Sequence, residues 1–139
     1  MSRTALQTLL DEGSDPAAGW RAVVEATRRG FPVGSVDTLV KTGRLTPAEV
    51  DQTVIARKTL SHRRKIGTLT AEQSDRLARV VRVVAAAEET FGSQEKAGRW
   101  LRRPTAALDG EAPLSLLDTS EGAREVERLL TRIDHGISA

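Results

Sequence analysis

Between Ala56 and Lys65 the chain reads ARKTLSHRRK, with Arg57, Lys58, Arg63, Arg64 and Lys65 around a single histidine, His62, and no acid. Cations at this density can neutralise phosphates, and each such contact releases counterions and makes binding salt-dependent. On a helix laid in a major groove, Arg57, Lys58, Thr59, Ser61 and His62 would occupy the first turns, where side chains reach base edges. Arg63, Arg64 and Lys65 would follow as phosphate clamps. A charge run alone is more often a solvated face, and that alternative stays open here. The short capped helix ahead of the run and the absence of acids favour the DNA reader.

Other chemistry finds little support. His62 and His135 are far apart in the chain and show no metal-ligand spacing. Ser61 and His62 are adjacent, and neighbours on a helix do not face each other. Glu88-Glu89 reads as a solvated carboxylate pair on a helix flank. No glycine-rich phosphate loop occurs, and the absence of cysteine removes thiolate chemistry, disulfides and zinc–thiolate sites. No enzyme, metal or cofactor is expected. Arg124, Arg128 and Arg132 recur at i, i+4 and i+8, which aligns three cations on one ridge. Glu121, Glu125 and Asp134 can neutralise them; the other reading is a face presented to a partner protein.

The elements that must position these residues are helices. Asp15-Pro16 reads as an N-cap and first helical residue, with Gly30 closing the helix and Trp20, Val23, Val24 and Thr27 on one face. Ser35 can cap a short helix through Val36, Leu39 and Val40 that ends at Gly43. Thr46-Pro47-Ala48-Glu49 is a capping box opening a short helix, cut off by the β-branched Thr53-Val54-Ile55. The basic helix follows, anchored inward by Leu60 and ended by Gly67. Thr70-Ala71-Glu72-Gln73 is a second capping box and starts the longest helix. There Leu77, Val80, Val84, Ala87 and Phe91 form a seam, and Val81, Val83, Ala85 and Ala86 widen it. So broad an apolar surface is central to the core or shared with a second subunit. Gly92 ends it, and Ser93 caps a helix through Trp100 that stops before Pro104. A leucine-rich loop follows, which normally docks on its own domain. Asp118 or Thr119 then caps a last helix, whose apolar face is Ala123, Val126, Leu129, Leu130 and Ile133 and whose end is His135-Gly136.

Composition agrees. At 139 residues the chain suits one domain or two small helical subdomains. Aromatics make up only 3%, so the core must be aliphatic, which favours packed helices. No run is long enough to span a bilayer and the first residues lack a signal-peptide pattern, so a cytoplasmic protein is expected. The net charge of +2 conceals an asymmetry: residues 105–139 hold three arginines against seven acids, leaving the rest at +6. A basic half and an acidic half point to two different partners.

Two long stretches, KTLSHRRKIGTLTAEQSDRLARV and AEETFGSQEKAGRWLRRPTAALDGEAPLSLLDTSEGAREVERLLTRIDHG, taken in order, resemble the Xre/MbcA/ParS family of bacterial type II antitoxins. The shared pattern is an Arg-rich helix, a glycine, a capping box and an acid-Ser-x-Arg-Leu helix. A Phe-Gly stop, a Trp-Leu helix, a Pro-Leu-x-Leu-Leu loop and a last helix ending Arg-Ile-x-His-Gly complete it. The chain departs at Thr105 and Asp109, where the family usually has Asn and Gly, and a changed turn geometry is expected there.

The resemblance implies an all-α protein: an Xre-like helix-turn-helix region over residues 1–67 and a helical antitoxin region over 68–139. It implies operator DNA and a RES-domain toxin as partners, the toxin consuming NAD or transferring ADP-ribose, with a homodimer inside a larger toxin–antitoxin complex. It also implies that the C-terminal end covers the toxin's active site. The matching residues are Arg128, Arg132, Ile133, His135, Gly136 and Ile137. A stand-alone transcription regulator, or an inhibitor whose helix-turn-helix no longer binds DNA, are the alternatives.

Overall fold

A computed structural model describes residues 19–136. They form seven α-helices: α1 (Trp20–Arg29), α2 (Gly34–Lys41), α3 (Pro47–Thr53), α4 (Arg57–Ile66), α5 (Ala71–Phe91), α6 (Gln94–Arg102) and α7 (Ser120–Asp134). Two 3-10 turns, Ala106–Leu108 and Pro113–Leu116, lie between α6 and α7. Among the described residues there are no strands, only isolated bridges Pro32–Thr68 and Thr105–Glu111. The expected all-α architecture is the one observed.

Local chemistry sets the helix starts. In both capping boxes the threonine hydroxyl accepts from the N–H three residues on, at 3.1 Å from Glu49 and 3.1 Å from Gln73. The Glu49 and Gln73 side chains accept in return from the Thr46 and Thr70 N–H groups, at 2.8 and 2.9 Å. Ser93 and Thr119 cap α6 and α7 through their hydroxyls. Gly67 and Gly92 end α4 and α5 at φ of 101° and 79°, a left-handed backbone that side chains disfavour.

The long helix α5 is the axis of the fold, with α1, α3, α6 and α7 packed on it. Leu77, Val80, Val81, Val83, Val84 and Ala87 are all buried within this chain, while Ala85, Ala86 and Phe91 are half-buried. Each large aliphatic side chain so buried contributes about 1.5–3 kcal/mol. α7 buries Ala123, Val126, Leu129 and Leu130 against it, while Ile133 is half-buried. Leu114 and Leu117 of the leucine-rich loop dock inward.

The start expected at Asp15-Pro16 lies outside the described residues. Two other local expectations differ. α1 buries Ala22 and Ala26, on the side packed against α5, rather than Trp20, which is 70% exposed. Ser35 lies inside α2, buried, with Val33 at the cap position. Asp109, one of the family departures, takes φ of 56°, the left-handed conformation that glycine adopts most freely.

Candidate functional site

α3, the turn Val54–Ala56 and α4 form two helices joined by a tight connection. Val54 and Ile55 are buried, and their N–H groups both donate to the Val50 carbonyl, at 2.9 and 3.0 Å, which fixes the turn. Ala56 has no side chain to cap α4; instead Asp51 Oδ1 accepts from the Arg57 N–H at 2.7 Å. That carboxylate comes from the preceding helix, so no local motif announces it.

None of the ten residues of α4 is buried. Leu60 is half-buried over an apolar cleft lined by Val36, Val40, Val50 and Ile55, so the inward anchor is present but partial. Arg57, Lys58, Thr59, Ser61, His62, Arg64 and Lys65 are exposed, and Arg63 is half-buried. The expected phosphate clamps are not equivalent. Arg63 donates from Nε to the Thr68 carbonyl at 2.7 Å, and Arg64 pairs with Asp37 of α2 at 2.8 Å. The Asp37 hydrogen bond holds the Arg64 guanidinium above its ordinary pKa, against a smaller opposing effect of burial. Arg57, Lys58, His62 and Lys65 have no ion pair among the described residues.

The helix pair and the loop that leads into it are tied to α5 and α6 by long-range contacts. Arg44, just before α3, donates to both oxygens of Glu88 on α5, at 2.8 and 3.1 Å. Glu88 is therefore a structural ion-pair partner and not the solvated carboxylate its neighbour Glu89 suggested. Arg102 of α6 forks onto both oxygens of Glu49, each at 2.8 Å, and reaches the Arg44 carbonyl at 3.1 Å. Burial pushes the Glu49 carboxyl upward, but hydrogen bonds from Arg102 and Thr46 outweigh it and hold the pKa below the ordinary value. Gln94 donates to the Thr42 carbonyl at 2.6 Å.

At the other end, α7 closes as His135 N–H donates to the Thr131 carbonyl and Gly136, at φ of 72°, turns back on Ile133. Arg124 pairs with Glu121, and Arg128 with Glu125, along the helix. Arg132 is exposed and has no ion pair among the described residues. Ile133 is half-buried against the core, and Ile137 lies outside the described residues. Arg128 and Arg132 also line an open hollow of about 790 Å3 between α5 and α7, together with Arg79 and Arg82. Sequence reasoning passed over those two; the signal was the polar stripe Asp75, Arg79, Arg82 at i, i+4 and i+7 on α5. No helix of the described residues is long and apolar enough to cross a membrane.

Two domain families match the chain. The antitoxin Xre-like helix-turn-helix domain covers residues 22–82, and the antitoxin Xre/MbcA/ParS C-terminal toxin-binding domain covers residues 86–136. An Antitoxin Xre of Pseudomonas putida is 36% identical, over 96% of this chain and 83% of its own length. An Antitoxin Xre of Yersinia enterocolitica is also 36% identical, over 96% of this chain and 93% of its own. A Prs ADP-ribosylating antitoxin of a Sphingobium species is 35% identical over 51% of this chain and 50% of its own length.

Proposed function

The chain belongs to the Xre/MbcA/ParS family of antitoxins, and on that premise we propose a double role: it inhibits a RES-domain toxin and represses its own operon by binding operator DNA. The toxin is an enzyme that consumes NAD or transfers ADP-ribose; the relative named a Prs ADP-ribosylating antitoxin supports that chemistry. The carrying observation is the state of α4. A ten-residue basic helix without one buried residue is held away from the core by a buried turn, at the position of a recognition helix. Arg57, Lys58 and Lys65 have no ion pair among the described residues, so they are available to a polyanion.

In this reading residues 1–67 serve DNA and residues 68–139 serve the toxin. Arg57, Lys58, Thr59, Ser61 and His62 face base edges or the phosphates beside them, with Lys65 as the available clamp behind them. Arg63 and Arg64 must first leave Thr68 and Asp37. Both internal contacts are exposed, and such contacts hold weakly in water. The toxin's cleft is covered by the end of α7, with Arg128, Arg132, Ile133, His135, Gly136 and Ile137. The protein acts in the cytoplasm as a homodimer, whose two-fold symmetry would match a palindromic operator.

A paired measurement tests both roles. Lys58→Ala/Lys65→Ala should weaken operator binding and flatten its salt slope by up to about 1.8, at about 0.9 per lost phosphate contact. Toxin inhibition should be unchanged in that variant. Removal of residues 132–139 should reverse the pattern, abolishing inhibition and sparing DNA binding. An unchanged slope, or full inhibition by the truncated chain, would refute the corresponding role.

A further inference from the structure

The hollow between α5 and α7 has an unusual lining. Arg79 and Arg82 enter it from α5, and Arg124, Arg128 and Arg132 from α7. Three acids face them, Asp75, Glu125 and Glu127, so the lining carries a net charge of +2. Several of the pairs are internal to the hollow: Arg82 forks onto Glu127 at 3.0 to 3.3 Å, and Arg128 bonds Glu125. Both pairs are partly exposed to solvent, and ion pairs of that kind are worth little to the fold.

Arg79 is different. Its two terminal nitrogens hold the start of α7, through Ser120 Oγ at 3.1 Å and the Asp118 carbonyl at 3.3 Å. Its Nε is buried and has no hydrogen-bond partner among the described residues. A buried guanidinium donor without an acceptor is costly, so Arg79 is held at this wall by its terminal nitrogens. Arg132 likewise brings a cation with no ion pair among the described residues.

We propose that this hollow is a docking site for an acidic segment of the toxin, whose side-chain carboxylates are received by Arg79, Arg124 and Arg132. The inference rests on the antitoxin role above and extends the toxin-facing surface from α7 onto α5. Guanidinium forks match carboxylates in geometry and charge, and five of them converge here from two helices. A nucleic-acid backbone fits less well. The interleaved Asp75, Glu125 and Glu127 repel a continuous row of phosphates but leave gaps for separate carboxylates. The candidate DNA helix α4 also rests on other elements, α2 and α3.

The test uses the full chain and the purified toxin, titrated at low and moderate salt, with operator DNA titrated in parallel. Arg124 is on the exposed face of α7 and pairs only with Glu121 nearby, so Arg124→Glu leaves the fold intact. It should weaken the toxin complex roughly tenfold, with a smaller loss at higher salt, and leave DNA affinity unchanged. Arg79→Gln should do the same, with circular dichroism checking that α7 persists. A complex indifferent to both substitutions overturns the hollow while leaving the antitoxin role standing. Loss of DNA affinity with the toxin complex intact assigns the hollow to nucleic acid and also overturns it. If the unaltered chain forms no complex, the antitoxin role itself fails, and the docking site with it.

Discussion

Replacing Arg44 by methionine should cost the protein much of its stability, although Arg44 sits in a loop. Its side chain is 8% exposed and that of Glu88 is 10% exposed, so two opposite charges are nearly removed from water. Two hydrogen bonds, at 2.8 and 3.1 Å, make the pair bidentate. Breaking a buried pair by removing one partner costs about 3–5 kcal/mol, because the remaining charge has lost its compensation. The residual exposure puts Arg44→Met at the low end, about 3 kcal/mol. Unfolding entropy near the melting point is about 2.1 cal/mol/K per residue, which for this chain gives about 0.29 kcal/mol/K and a Tm lower by about 10 °C. The double variant Arg44→Met/Glu88→Leu should recover most of that loss, since a well-packed apolar pair can replace a buried ion pair at little cost. Urea and thermal denaturation of the parent, the two single variants and the double variant measure the coupling directly. A loss under about 0.5 kcal/mol for Arg44→Met, or a double variant equal to the sum of the singles, would refute the burial argument.

Two further outcomes follow from the same physics. The Glu49 carboxyl has a depressed pKa in the folded chain, so its contribution is complete above the unfolded value near 4.3 and is lost as pH falls through the folded one. Melting curves below about pH 4.3 should therefore fall less steeply with acid in Arg102→Met than in the parent, and equal slopes would count against the pair. Gly122→Ala should destabilise by about 1–3 kcal/mol despite the better helix propensity of alanine. The added carbon would sit 2.0 Å from the Leu116 carbonyl oxygen, a backbone atom that cannot turn aside; calorimetry showing no loss would refute that contact.

What the sequence disclosed and what it withheld divide along range of interaction. The boxes at Thr46 and Thr70, the glycine stops at Gly67 and Gly92, and the seam of α5 are each written within a turn or two, and each stands where expected. The caps at Ser93 and Thr119 belong with them. Misreadings arose where a distant partner decides. Glu88 has no sequence neighbour to distinguish it from Glu89; only Arg44, 44 residues earlier, does so. Trp20, Val23, Val24 and Thr27 share one face by spacing, whereas the packing of α1 on α5 buries Ala22 and Ala26. Arg63 and Arg64 looked alike in a run of cations, and tertiary geometry gave them Thr68 and Asp37. The hollow was half visible as the ridge on α7, and its other wall needed α5 to be placed beside it.

Helix α5 runs unbroken from Ala71 to Phe91, while the two matched domains meet between residues 82 and 86. The junction is thus a buried stretch of one helix, with Val83 and Val84 in the core, and not a tether. A cut at that border divides the rod on which α1, α3, α6 and α7 all pack, so neither matched domain keeps the whole of it. A viable exchange must carry all of α5 with one parent and re-fit the other to its surface. Point changes on α4, none of whose residues is buried, leave that rod untouched, whereas any exchange of one half must reshape it.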